Sequence, residues 1–133
     1  MSRVALLLIA MLVLAPAAEA KTIVAMGDSI TWGFGSWPFE PGYARIVAQE
    51  IERQGRDQVV FHNLAKNGAT SDQLLERIAL AQGLHPDIVL MSIGGNDMLN
   101  AMEAGEDVLT AIDRAAANAR RAILTLRSQG STI

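Results

Sequence analysis

The sequence contains no cysteine in its 133 residues, which excludes disulfide bonds, thiolate metal sites, a cysteine nucleophile and a lipid-modified N-terminal cysteine. It also lacks a basic excess, because 11 lysines and arginines stand against 14 acidic residues, for a formal net charge of −3. We therefore expect no nucleic-acid partner, since a polyanion binder carries clustered positive charge. Aromatic residues make up only 5% of the chain, but 50% of all residues are hydrophobic. That content excludes a disordered chain, and the length fits one domain.

The first twenty residues have the pattern of an export signal. An unbroken apolar run, Val4–Leu14, follows a basic start, and Ala18-Glu19-Ala20 gives the small-residue pattern of a cleavage site. The run is too short to span a membrane, which takes about 20 apolar residues. We expect residues 1–20 to be a signal peptide and residues 21–133 to be the mature domain, secreted or periplasmic in a bacterium, with no stable membrane anchor after cleavage. An uncleaved interfacial anchor or a buried helix is the alternative.

Beyond this segment, apolar β-branched runs alternate with segments of helical periodicity. The pattern predicts, in chain order, a strand at Thr22–Met26, a helix from Tyr43 to Gly55, a strand at Gln58–Leu64, a helix capped at Thr70 that includes Ile78, a strand at Asp87–Ile93 and a helix at Glu106–Ser128. Such alternation indicates parallel strands joined by right-handed crossovers. We therefore predict an α/β fold, a three-layer, flavodoxin-like, doubly wound parallel sheet with the strand order 2-1-3 at its start.

Three polar motifs fall at the carboxyl ends of the predicted strands. They are Gly27-Asp28-Ser29 after the first strand, Asn67-Gly68 after the second and Gly94-Gly95-Asn96-Asp97 after the third. In the predicted strand order, Ser29 and Asn96 face each other across the ligand crevice with Gly68 alongside. A serine on a tight strand-to-helix turn is a candidate nucleophile, and two backbone N–H groups with an amide side chain can bind an oxyanion. For any single motif, an ordinary turn is the alternative, because turns favour the same residue types.

These motifs resemble those of the SGNH (GDSL) hydrolases, which are serine esterases and lipases. The resemblance rests on Gly27-Asp28-Ser29-Ile30-Thr31, on Gly68 and on Gly94-Gly95-Asn96-Asp97. It implies that Ser29 is the nucleophile, with Asp28 supporting its motif. It also implies an oxyanion hole formed by the Ser29 N–H, the Gly68 N–H and the Asn96 side chain, without a cofactor or metal. The implied substrates are carboxylic esters or thioesters of small molecules, lipids or carbohydrates, whereas the acyl-chain preference and the oligomeric state stay open.

The general base of that family has no counterpart in the sequence. In the family, an Asp-x-x-His motif near the C-terminus supplies the base and its acid, and no Asp-x-x-His occurs in these 133 residues. His85 precedes the third strand, so we expect it roughly 20 Å or more from the site, and His62 lies within the second strand. We expect the sequence to be an N-terminal part of the domain, inactive alone and without its last strands and final helix. Ser131-Thr132-Ile133 is predicted to open a fourth strand.

Two further features of the sequence lie close to the predicted site. Five of the six aromatic residues follow the nucleophile and form either a wall of the acyl pocket or a packed loop: Trp32, Phe34, Trp37, Phe39 and Tyr43. Asp97 is predicted to be a helix N-cap rather than a catalytic acid.

Two rival functions stay open. One rival is a non-catalytic ligand-binding module that keeps the crevice without a base. The other is a phospho-acceptor domain with Asp97 as acceptor, which would need an acidic cluster where only Asp28 is found and a cytoplasmic location that a signal peptide contradicts.

Overall fold

The structure is a computed structural model that describes residues 19–35, 41–55 and 58–133. Most of the predicted signal peptide, and the aromatic residues Trp37 and Phe39, lie outside the described residues. The described elements are, in chain order, β1 (Lys21–Gly27), α1 (Ser29–Trp32), α2 (Tyr43–Gln54), β2 (Val59–Asn63), α3 (Ser71–Glu76), α4 (Ile78–Gly83), β3 (Ile88–Ser92), α5 (Gly95–Ala104) and α6 (Val108–Arg127). Within the described residues, none of the helices has both the length and the apolar character that a membrane-crossing helix needs.

The three strands form a parallel sheet with β1 in the middle, in the order β2-β1-β3. In the register, Val24 of β1 lies opposite His62 of β2 on one side and Val89 of β3 on the other. The predicted α/β class, parallel pairing and strand order are therefore confirmed. At the far edge of β3, Thr132 of the segment that is predicted to open a fourth strand forms an isolated parallel bridge with Ile88.

The core lies against the central strand, which is apolar on both faces because neighbouring layers cover both. Ile23, Val24, Ala25 and Met26 are fully buried. Alternate residues of a strand point to the same face, so Val24 and Met26 share one face of β1. The cluster that packs there joins the sheet to α3, α4 and α6 and consists of Val24, Met26, Leu74, Ile78, Ala81, Val89, Ala122 and Leu126. This packing holds α3, the helix that follows the Gly68 motif, against the sheet.

The helix predicted to begin at Thr70 is present but divided. Thr70 is its N-cap, as predicted, and α3 begins at Ser71. The Thr70 N–H donates a hydrogen bond of 3.2 Å to Gln73 Oε1, as in a capping box. The helix breaks at Arg77, which separates α3 from α4. The guanidinium of Arg77 reaches back to the carbonyl oxygen of Leu64 at 2.9 Å. This hydrogen bond connects the break between α3 and α4 to the loop after β2, and helical periodicity does not predict that contact.

The structure corrects the prediction for Asp97 and adds a helix. The sequence predicts no separate helix between Gly94 and residue 106, yet α5 fills this segment, and its C-cap is Gly105, whose φ is +67°. The N-cap of α5 is Gly94, in a left-handed conformation with φ +109°, so the helix begins at Gly95. Asp97 consequently lies inside the first turn, and its prediction as the N-cap is wrong. The N-cap of α6 is Asp107, one residue later than the predicted start of that helix.

Candidate active site

The turn that carries Ser29 depends on the close approach of β1 to β3. Gly27 ends β1 with φ +119°, and a Cβ on it would lie 1.9 Å from the carbonyl oxygen of Ser92. The same oxygen accepts a hydrogen bond of 2.9 Å from the N–H of Asp28. Only glycine fits such a position, where the backbone is both left-handed and crowded. The chain therefore leaves the sheet sharply, and Ser29 begins α1 at the carboxyl end of the sheet.

Asp28 holds this turn together from inside. It is 4% exposed, and its Oδ1 accepts hydrogen bonds from the N–H of Ile30 at 3.1 Å and from the hydroxyl of Ser92 at 3.2 Å. The first bond caps the N-terminus of α1, and the second joins the end of β1 to the end of β3. Ser29, next to it, is only partly buried. This geometry gives Asp28 a structural role at the N-terminus of α1 and at the end of β3.

The loop after β2 brings Gly68 to the same end of the sheet. The loop lies beside the end of β1, since the N–H of Lys66 donates to the carbonyl oxygen of Gly27 at 2.9 Å. A turn then closes with a 3.1 Å bond from the Ala69 N–H to the Lys66 carbonyl oxygen. Gly68 is the third residue of this turn and has φ +76°, the conformation that a type II turn requires there. It is exposed, and a Cβ on it would meet no atom within 4 Å.

Asn96 connects the third motif to this turn. It lies in the first turn of α5, directly after the two glycines, and its Nδ2 donates to the Ala69 carbonyl oxygen at 2.9 Å. Backbone and side-chain hydrogen bonds thus link the segments of Ser29, Gly68 and Asn96 in pairs. The structure brings together the three motifs that the sequence predicts at one crevice. In the described part of the chain, no group of three or more His, Asp or Glu side chains is placed to hold a metal ion.

Two residues near the site were not singled out from the sequence. Ser71 is fully buried, and its N–H and hydroxyl both donate to the Asp97 carboxylate, at 2.9 Å and 2.6 Å. Asn118 of α6 donates to Ser71 Oγ at 2.9 Å. A signal for Asn118 does exist in the sequence: it lies on the same helix face as Ala115 and Ala122, which are buried, so a polar residue there needs a partner.

The two histidines lie outside the three motifs. His85 precedes β3 and lines a cavity at the amino ends of the strands, together with Glu19, Lys21 and Asp87. The predicted placement of His85 at the opposite end of the sheet is therefore confirmed. His62 is within β2, as predicted, and is partly buried.

The described aromatic residues after Ser29 have mixed surroundings. Phe34 is 67% exposed and Trp32 is 46% exposed, whereas the Tyr43 hydroxyl lies 3.0 Å from Thr31 Oγ1, which ties α2 to α1. Trp32 also lines a cavity of about 220 Å³ with Arg45, Phe61 and Asn63. All three described members of the cluster are therefore exposed, although Tyr43 also makes a contact between helices. Their role as a pocket wall stays a prediction.

Comparison with known proteins identifies the class to which this fold and site belong. The family model described as "GDSL-like Lipase/Acylhydrolase family" matches residues 25–132, so the chain belongs to that family of hydrolases. The resemblance of the three motifs to the SGNH (GDSL) hydrolases is thereby confirmed.

The chain is also similar to individual known proteins. The chain is similar to the spore germination lipase LipC of Bacillus licheniformis, with 30% identity over 86 residues, 62% of this chain and 41% of LipC. Its fold matches the lipase Lip_vut3 from a goat rumen metagenome, with a TM-score of 0.73 and 24% identity over 85% of this chain and 59% of Lip_vut3. It also matches TesA, with a TM-score of 0.64 and 24% identity over 84% of this chain and 57% of TesA. The chain thus spans less than two thirds of the length of these proteins.

Proposed function

We propose that this chain carries the nucleophile and the oxyanion hole of a serine hydrolase that cleaves carboxylic esters or thioesters. One observation carries the proposal: hydrogen bonds join the segments of Ser29, Gly68 and Asn96 at the carboxyl end of the sheet, in a chain of the GDSL-like family. Each residue has a separate chemical use there. The Ser29 hydroxyl attacks, and donors from all three residues stabilise the negative charge that develops.

The proposed reaction has two steps. In the first, Ser29 Oγ forms a bond to the ester carbonyl carbon and gives its proton to a base, and the carbonyl oxygen becomes an oxyanion. The bond to the alkoxide or thiolate then breaks, and the leaving group takes up that proton. In the second step, water attacks the acyl group on Ser29 with the same base, and the acid leaves as the Ser29 hydroxyl re-forms.

The oxyanion donors have features that support this role. The N–H of Ser29 is at the first position of α1, where a helix leaves its N–H groups without partners inside the helix. Gly68 is exposed and has no side chain to keep a ligand away from its N–H. Asn96 Nδ2 carries two hydrogens, and the Ala69 carbonyl oxygen takes one of them. Removal of a single oxyanion donor costs on the order of 3 kcal/mol of transition-state stabilisation.

We propose that the base is not one of the two histidines in the sequence. His85 is at the amino ends of the strands, and the whole length of β3 lies between it and Asn96. His62 lies within β2, where it is paired with Val24 of β1, and so it is not part of a loop at the carboxyl end of the sheet. The 133-residue chain is therefore proposed to turn over esters poorly by itself, because binding and oxyanion stabilisation remain but the proton acceptor is missing.

An external base tests this proposal. We expect the chain to hydrolyse p-nitrophenyl acetate no faster than its Ser29→Ala variant in plain buffer. Imidazole, whose neutral form accepts a proton near neutral pH, is expected to add a rate that the parent has and Ser29→Ala lacks. The matched control is Ser128→Ala, at the exposed C-terminal end of α6, which is expected to keep the imidazole-dependent rate.

Two results would overturn the proposal. If the parent and Ser29→Ala have identical rates at every imidazole concentration, Ser29 is not a nucleophile, and the non-catalytic ligand-binding module is favoured instead. Fast turnover without imidazole that depends on Ser29 would mean that a residue of the chain already supplies the base.

We also propose that residues 1–20 direct export and are removed. The support is positional, because Lys21 is the first residue of β1 and its N–H donates to the Gln58 carbonyl oxygen at 2.8 Å. Cleavage before Lys21 therefore removes no residue of a described helix or strand. N-terminal sequencing of the protein exported from a bacterial host is expected to begin at Lys21. An exported protein that retains Met1 would contradict cleavage.

A further inference from the structure

The network around Ser71 has donors and acceptors that can be assigned without ambiguity. The Ser71 hydroxyl gives its hydrogen to Asp97 Oδ1, at 2.6 Å, so its oxygen can only accept from a third group. Asn118 Nδ2 donates to that oxygen at 2.9 Å and to Asp72 Oδ1 at 2.8 Å. Both hydrogens of the Asn118 amide are therefore in use. An aspartate at 118 has the same shape but offers only acceptors to a hydroxyl oxygen and a carboxylate.

The network is buried where it contacts Asp97. Asp97 is 2% exposed and Ser71 is fully buried, so neither can exchange its partner for water. Among the described residues, every buried side-chain nitrogen and oxygen has a hydrogen-bond partner. A buried polar network of this kind has one low-energy arrangement when all its members are satisfied. Asn118 therefore belongs to a rigid contact between α3, α5 and α6.

This contact is directly joined to the proposed oxyanion hole. Asp97 follows Asn96 in α5, and Ser71 follows the segment whose Ala69 carbonyl oxygen accepts from Asn96 Nδ2 at 2.9 Å. Three hydrogen bonds thus connect residues 69–71 to residues 96–97. Gly68 precedes the first of these segments by one residue. Asn118 contacts these two connected segments through its hydrogen bond to Ser71 Oγ.

We propose that Asn118 is a positioning residue for the oxyanion hole, acting through Ser71 and Asp97 on the relative placement of Gly68 and Asn96. The proposal rests on the proposed function of those two residues. It assigns a role to α6, which contributes no residue to the crevice motifs. Small displacements of catalytic donors have large effects, because a shift of about 1 Å can reduce a rate by roughly 100-fold.

The test combines nuclear magnetic resonance of the 15N-labelled chain with the imidazole-assisted esterase assay. In Asn118→Asp, we expect the resonances of the Asn96 side-chain amide and the Gly68 N–H to shift and hydrogen exchange at the Ser71 N–H to accelerate at least about tenfold. Exchange at Ile23–Met26 of the core strand is expected to stay slow. The Ser29-dependent kcat is expected to fall at least about tenfold, with KM changed by less than about twofold.

Two further variants make the result decisive. Asn100→Asp introduces the same chemical change at an exposed position of α5 and is expected to alter neither readout. Asn118→Ala removes the donors without adding a negative charge and is expected to shift the same resonances. If both Asn118 variants lose slow exchange in the core strand, the residue is only structural and the proposal is wrong. Unchanged Asn96 and Gly68 resonances with a parental kcat would also overturn it.

The same data separate this proposal from the proposed function. If the parent shows no Ser29-dependent rate, the proposed function fails, and the positioning role of Asn118 fails with it. If the parent has that rate and the Asn118→Asp variant keeps it, only the positioning role fails.

Discussion

At the scale of the residue, backbone requirements made part of the site predictable from the sequence. Gly27 and Gly68 have left-handed φ angles, and such positions can be recognised in a sequence because glycine is strongly favoured there. The role of Asp97 was less predictable. A carboxylate near a helix start caps that helix most often, whereas Asp97 binds Ser71, which is 26 residues away in the chain. Partners so distant in sequence leave no local pattern.

A substitution at Gly27 tests the geometry of the turn. We expect Gly27→Ala to lower the free energy of unfolding by about 1–3 kcal/mol or more, because a Cβ would collide with the Ser92 carbonyl oxygen at a left-handed backbone position. Urea denaturation measures the change. Gly83→Ala is the matched control, since its Cβ would meet no atom within 4 Å and α4 would gain a better helix former. Equal stability of Gly27→Ala and the parent would contradict the described turn.

At the scale of the element, long periodic segments were predicted well and short ones were not. The helix from Tyr43 and the last helix have extended amphipathic patterns, and both are present as α2 and α6. The helix α5 was missed because it begins in Gly94-Gly95, which reads as a loop until the left-handed Gly94 is known to be its cap. The division between α3 and α4 was missed because the hydrogen bond from Arg77 to Leu64 that accompanies it is tertiary.

The N-cap of α6 provides a test at this scale. The hydroxyl and the N–H of Thr110 donate to the Asp107 carboxylate and hold the pKa of Asp107 below its ordinary value. A group with a lowered folded-state pKa stabilises fully above its unfolded pKa and loses that contribution as the pH falls through the folded value. Stabilisation by Asp107 is therefore expected at neutral pH and is expected to be lost progressively below about pH 4.

Asp107→Asn keeps an oxygen that can accept from Thr110 but removes the titrating charge. We expect the parent to lose more of its free energy of unfolding than Asp107→Asn between neutral pH and about pH 3, as measured by urea denaturation at each pH. A gap between the two proteins that does not change with pH would contradict the capping role of the Asp107 charge.

At the scale of the whole molecule, alternation of strands and helices was enough to predict the sheet. Right-handed crossovers and short connections leave few arrangements, and the order β2-β1-β3 places the ends of β1 and β3 side by side. The site follows from that order, because Gly27, the first residue of one motif, is paired in the register with Ser92, which shortly precedes another. The Asn118 contact depends on how α6 packs against α3, and the periodicity of α6 alone does not specify that partner.

The central claim is that Ser29 becomes acylated at this crevice, and identification of the acylated residue tests it most directly. The chain is mixed with p-nitrophenyl acetate in imidazole buffer, quenched with acid, digested and analysed by tandem mass spectrometry. We predict one acetyl group on Ser29 in the parent and none on the corresponding peptide of Ser29→Ala. Acetylation found only on lysine side chains, with Ser29 unmodified at every quench time, would contradict the claim.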